Sequence, residues 1–136
     1  MLVSEGMSDV VLTVGPGHSL REAAAAMWGR RVGAAVVHDP DAPGPGVITE
    51  RDILHAVAQG KDPSTEHVAD HLTANLTFAR RDWSLEHAAA TMIDGGFRHL
   101  VVVEGSNVIG ILSMRDIVRV WCGAGANCDI PERAAS

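Results

Sequence analysis

The sequence predicts an α+β fold made of two tandem β-α-β-β-α repeats related by a pseudo-twofold axis. Three observations predict it. Residues 19–27 (SLREAAAAM) and 84–92 (SLEHAAATM) coincide at an offset of 65, and Val36 and Val37 fall on Val101 and Val102 at the same offset. After a loop one residue shorter in the second copy, GVITERDIL (46–54) lies over GILSMRDIV (110–118) at an offset of 64. Finally, each copy alternates short apolar runs of strand length with segments of helical spacing.

The elements follow in order. Val10–Val14 and Leu76–Ala79 are β-like entries. Ser19 opens a helix, with Glu22 three residues on as a capping box, and Ser84 is the matching cap, with Glu86 favouring the positive helix end. Leu20, Ala24, Met27 and Trp28, and their counterparts Leu85, Ala89, Met92 and Ile93, follow helical spacing. Ala34–Val37 and Leu100–Val103 are continuous apolar runs short enough for buried strands. DPDAPGPG and EGSN then turn the chain, and Val47–Thr49 and Val108–Ser113 pair back as hairpins. Second helices run from Arg51 to Ala58 and from Arg115 to Trp121. Residues 1–60 make the first repeat, 61–67 a linker, 68–121 the second repeat and 122–136 a flexible C-terminal tail. A unit of this size buries too little surface alone, so the two copies should share a core with a cleft between them.

Composition narrows the function. Eleven Lys+Arg against seventeen Asp+Glu give a net charge of −6, which argues against gripping a nucleic-acid backbone. Only Lys61 is Lys, so no polybasic tract addresses anionic membrane. Hydrophobic residues make up 46 %, enough for a packed core, yet no apolar stretch reaches the roughly 20 residues of a membrane span. The N-terminus lacks a secretory pattern. A cytoplasmic protein is expected, with Cys122 and Cys128 as free thiols. The histidines show no metal-ligand spacing: His67 and His71, four apart, are expected to bracket a turn.

The chemistry-bearing pattern is the repeated Gly-h-h-[Thr/Ser]-x-x-Asp at 46–52 and 110–116. Two readings use the same atoms. Thr49 with Asp52, and Ser113 with Asp116, can be capping boxes at a strand-to-helix turn. Equally, a helix N-terminus offers free N–H groups to phosphate, a hydroxyl can donate to a phosphate oxygen, and a carboxylate can accept both hydroxyls of a ribose.

This duplication, with its closing motif in each copy, resembles a pair of CBS (cystathionine β-synthase) domains, a Bateman module, over roughly residues 1–121. VADHLT (68–73), and more loosely VSEGMS (3–8), resemble the lead-in that precedes such a repeat. The resemblance implies adenosine-containing ligands such as AMP, ADP, ATP or S-adenosylmethionine in the inter-repeat clefts. It implies that Asp52 and Asp116 hold ribose hydroxyls, with Thr49 and Ser113 near ribose or phosphate and Val11–Val14 and Leu76–Ala79 flanking the base. Arg98 and His99 stand where ligand-binding members carry cations, whereas the first copy has Gly33 and Ala34, so unequal clefts are expected. Many members carry Pro where this chain has Val36 and Val101.

Arg51 and Arg115 repeat in register beside the aspartates and read as solvated first-turn residues, a phosphate clamp or an interface ion pair. Trp28 and Ile93 read as core filling or as a symmetric oligomer surface. The expectation is a stand-alone, non-catalytic sensor or regulatory module with no required cofactor and no metal, binding an adenosyl ligand and forming a homodimer, with a separate protein as a further partner. The alternatives are a degenerate pair that acts only in protein–protein interaction, and a small nucleotide hydrolase or transferase.

Overall fold

The structure is a computed structural model and describes residues 1–123; positions 124–136 of the expected tail, Cys128 included, lie outside the described residues. The element order is α1 (Val3–Gly6), β1 (Thr13–Val14), α2 (Leu20–Arg30), β2 (Ala34–Val37), β3 (Gly46–Thr49), α3 (Glu50–Ala58), a 3-10 turn (Val68–Asp70), β4 (Phe78–Arg80), α4 (Leu85–Gly95), β5 (His99–Glu104), β6 (Asn107–Ser113) and α5 (Met114–Gly123). Two three-stranded sheets result, β1-β2-β3 and β4-β5-β6. In each, the first pairing is parallel and the second antiparallel. The α+β class and the repeat order agree with the sequence. The entry strands are shorter than expected.

Capping follows the residues that promote it. Ser19 accepts from the Glu22 N–H while the Glu22 carboxylate accepts from the Ser19 N–H, and Ser84 accepts from the His87 N–H. Only part of the helically spaced apolar set turns inward. Leu20, Ala23 and Met27 are buried, as are Leu85, Ala88 and Met92, while Trp28 is 83 % and Ile93 71 % exposed. A run of four alanines carries no periodicity of its own, so the turn preferred by Leu20 and Met27 decides which alanine faces the sheet. Cys122 is disulfide-bonded, which corrects the expectation of a free thiol there; sequence spacing does not distinguish a thiol from a half-cystine. No helix among the described residues is long and apolar enough to cross a membrane.

Each sheet is buried on both faces, which is why its central strands are continuously apolar. Ala35, Val37 and Ile48 pack under α2 and α3, and Leu100, Val102 and Leu112 under α4 and α5. Between the sheets, Ala34, Val36 and Val47 meet Val101. Val36 and Val101, which replace the family's proline, therefore sit at the centre of the inter-repeat contact.

The two lead-ins are exchanged. Val3 belongs to the core of the second repeat, and Val68 to that of the first. Ser8 pairs with Ile111 on β6, and Thr73 pairs with Val47 on β3. These are the same contact at offsets of 65 and 64. The glycine of each motif makes it sterically possible. A Cβ on Gly46 would stand 2.9 Å from Leu72 and 3.2 Å from the Thr73 carbonyl oxygen, and a Cβ on Gly110 would stand 2.8 Å from the Ser8 carbonyl oxygen. Gly110→Ala is therefore expected to cost about 1–3 kcal/mol through a backbone that must shift, and urea denaturation should show both repeats losing stability in one transition. Separate transitions, with the first repeat untouched, would contradict the exchange as a shared constraint.

Candidate functional site

The site grows from the strand-to-helix turns that close each repeat. At the first, the Asp52 Oδ2 accepts from the Thr49 N–H at 2.9 Å and from the Thr49 hydroxyl at 2.9 Å, while the Asp52 N–H donates to Thr49 Oγ1 at 3.2 Å. At the second, Asp116 Oδ2 accepts from the Ser113 N–H at 2.9 Å, and the Asp116 N–H donates to Ser113 Oγ at 3.0 Å. Both motifs are thus capping boxes in which Asp replaces the usual Glu. The box uses one carboxylate oxygen. Asp52 Oδ1 is not engaged by it, and Asp116 Oδ1 has only a 3.4 Å contact from Arg119. Capping and ligand acceptance are therefore compatible on the same side chain, since the box takes only one of its two oxygens.

The strands that lead into the site repeat the symmetry. The Glu50 N–H donates to the Gly33 carbonyl at 2.9 Å, as the Met114 N–H does to that of Arg98. Ala34 pairs with Thr49, and His99 with Ser113. Strand alternation puts His99 on the same face as Val101, toward the other sheet, and so into the inter-repeat cleft. Arg98, one residue earlier, is exposed at the strand's lead. The sequence grouped the pair, but the geometry separates their roles.

His99 is the most electrostatically constrained group of the site. Burial lowers its pKa below the ordinary 6.5; the carboxylates of Glu50 and Asp116 pull it back up, and Arg115 and Arg98 push it down. Glu50 was not singled out from the sequence. It belongs to the first repeat, yet acts on a histidine of the second, and its carboxylate lies about 3.1 Å from where a Cβ on Gly33 would be. In the second copy Met114 takes its place. The clefts thus differ in two ways, by Arg98 and His99 against Gly33 and Ala34, and by Glu50 against Met114.

Arg51 and Arg115 form neither an ion pair nor a free cationic rim. The Arg51 guanidinium donates to the Gly96 carbonyl at 3.0 Å, and that of Arg115 to the Arg31 carbonyl at 3.2 Å. Both bonds cross from one repeat to the other. Trp28 and Ile93 are exposed and no part of the core, which excludes the core-filling reading. His67 and His71 flank the 3-10 turn as expected, and His71 donates to Glu66 at 2.8 Å. Among the described residues no three His, Cys, Asp or Glu side chains gather as a metal site.

Two surface cavities lie away from these residues. The larger, about 650 Å3, is bounded by Leu2, Arg80, Arg81 and Glu104. The smaller, about 480 Å3, spans both repeats, with Val11, Thr13, Val36 and His38 on one side and Asn107 and Val108 on the other. None of the eight candidate residues lines either cavity. The smaller one touches the expected base-flanking segment at Val11 and Thr13.

The depressed pKa of His99 has a pH consequence. The folded state binds fewer protons than the unfolded chain between the lowered value and 6.5. Its contribution to stability is complete above 6.5 and is lost as pH falls from 6.5 through the lowered value. Urea unfolding of the wild type and of His99→Gln across that range should show the wild type losing more stability on acidification. Parallel pH profiles would refute the assignment.

Comparison with known proteins gives a consistent picture. The family model described as "CBS domain" matches residues 3–59 and 68–123. The CBS domain-containing protein YhcV of Bacillus subtilis is 34 % identical over 116 residues, covering 85 % of this chain and 81 % of that protein. CBSCBSPB2 of Arabidopsis thaliana is 35 % identical over 104 residues, which are 76 % of this chain but 19 % of that protein. Among solved structures, the CBS-domain protein ATU1752 of Agrobacterium tumefaciens superposes with a TM-score of 0.80 at 33 % identity, covering 87 % of this chain and 91 % of that one. The CBS domain pair of MJ0100, solved in complex with 5'-methylthioadenosine and S-adenosyl-L-methionine, superposes with a TM-score of 0.81 at 27 % identity, covering 91 % and 98 %.

Proposed function

Because the chain belongs to the CBS-domain family, as a tandem pair of such domains, we propose that it is a non-catalytic sensor module that binds an adenosine-containing ligand in its inter-repeat clefts. The observation that carries this reading is the duplicated capping box in which Asp52 and Asp116 each keep one carboxylate oxygen outside the box. A vicinal diol matches such an acceptor, and a helix N-terminus beside it suits an anionic group. The adenosyl compounds held by the MJ0100 pair support the ligand class. In this reading Asp52 and Asp116 take ribose hydroxyls, Thr49 and Ser113 orient them, and Arg98 and His99 serve the cleft they face. Arg51 and Arg115 stand beside the aspartates with their guanidinium groups on carbonyls of the other repeat. The module is cytoplasmic, and its output passes to a partner protein.

The clefts are unequal in this proposal. A phosphate raises the proton affinity of His99, while the carboxylate of Glu50 opposes an anion beside it. Ligands with and without phosphate should therefore divide differently between the clefts. Thermal-shift measurements with adenosine, AMP, ATP and S-adenosylmethionine test the reading. A ligand at 100 times its dissociation constant adds roughly 2.7 kcal/mol, a shift of several degrees. Asp52→Ala or Asp116→Ala should remove the shift contributed by its own cleft and cost the apo protein about 1 kcal/mol through the lost cap. Wild-type affinity in both variants would sink the ribose assignment.

A second reading, interaction without nucleotide, is favoured by one specific observation: Trp28, Ile93, Leu54, Val57 and Val118 are exposed on the helices. We propose that these helices form a homodimer with Trp28 or Ile93 at the contact. Sedimentation should show a dimer that Trp28→Glu with Ile93→Glu converts to a species of 14.3 kDa; a wild-type monomer would overturn it.

A further inference from the structure

The arginines beside the two aspartates do something that neither a clamp nor a solvated surface residue would do. Each sits in the first turn of its own helix, the positive end of the helix dipole, where a cation is disfavoured. Each donates to the last turn of a helix in the opposite repeat, where a cation is favoured: Arg51 to Gly96 at the end of α4, and Arg115 to Arg31 at the end of α2. Both acceptors are left-handed C-caps, at φ 71 for Gly96 and φ 56 for Arg31. Donors are 64 residues apart and acceptors 65, the same offsets as the repeat itself. A chance surface contact would not recur on both sides of a pseudo-twofold axis.

We propose that Arg51 and Arg115 are positioning residues, a reciprocal pair of latches that fix each aspartate relative to the cleft wall supplied by the other repeat. The coupling passes through covalent and hydrogen-bonded neighbours. Asp52 is locked to Thr49 by three hydrogen bonds, so the first turn of α3 moves as one body. Arg51, within that body, holds Gly96. Two and three residues beyond Gly96 stand Arg98 and His99. The latch therefore ties the turn that carries Asp52 to the segment of the other repeat that leads into Arg98 and His99. In the other half, Arg115 joins the Ser113–Asp116 box to Arg31, two and three residues before Gly33 and Ala34. The latches act on affinity without touching ligand. This rests on the function proposed above for the affinity, but not for the mechanical coupling.

Two measurements on Arg51→Ala and Arg115→Ala test it. The first is amide hydrogen exchange without ligand. Arg51→Ala should speed exchange at residues 96–99, in the opposite repeat, by roughly fivefold, the equivalent of one net hydrogen bond. Arg115→Ala should do the same at residues 31–34, and Arg51→Lys should restore part of the protection. Acceleration confined to residues 50–58 would overturn the latch. The second is titration with adenosine and with AMP. A positioning residue weakens both by the same factor, roughly fivefold; loss for AMP alone would make Arg51 a phosphate contact and overturn the proposal. A wild type that binds neither probe defeats the proposed function, and the exchange pattern then decides the latch by itself.

Discussion

The close passage of a lead-in backbone over a motif glycine is the contact on which the rest of the structure depends. At Gly110 the chain at Met7–Ser8 crosses nearer than a Cβ would permit, and at Gly46 the chain at Leu72–Thr73 crosses where a Cβ would be crowded. These crossings deliver Val68 to the first core and Val3 to the second. Neither half of the chain then contains its whole hydrophobic core. A unit of about 60 residues is marginal by itself, and exchange converts two marginal units into one body. The glycine that opens the Gly-h-h-[Thr/Ser]-x-x-Asp pattern answers to packing, while the residues at its far end cap the helix that follows.

That arrangement also shapes the clefts. The Thr/Ser–Asp box holds a turn at the end of a buried strand, and the strand's position is fixed by the exchanged lead-in on one side and by the Ala34, Val36, Val47 and Val101 contact on the other. Each cleft takes groups from both repeats as a result. His99 of the second repeat answers to Glu50 of the first, and Arg51 of the first repeat holds Gly96 of the second. The two sides share a backbone plan and differ in charge. The duplicated scaffold thus surrounds its two closing turns with different charges.

Much of the fold was legible in the sequence because its signals are local. Offsets of 65 and 64 marked the repeat, Ser19 and Ser84 marked helix starts, and the runs at 34–37 and 100–103 marked strands buried on both faces. The illegible parts depend on partners far along the chain. The lead-in at 68–73 was recognisable, but not the repeat on which it packs. The bonds of Arg51 and Arg115 span 45 and 84 residues, and no spacing rule reveals them. The alanine run hid which face of α2 and α4 turns inward, so spacing left Trp28 and Ile93 open between core and surface, and both face solvent. Within the site, the motif disclosed Thr49, Asp52, Ser113 and Asp116; Glu50 carried no signal, since a first-turn acid is ordinary and its proximity to His99 is a tertiary fact.

In the proposed function each cleft is built jointly by the two repeats. An amide chemical-shift map of the protein titrated with adenosine addresses it most directly. The account predicts that residues 49–52 shift together with residues 97–100, or residues 113–116 together with residues 32–35, at a common apparent affinity. Perturbations confined to one repeat, with its opposite wall unmoved at saturation, would contradict it.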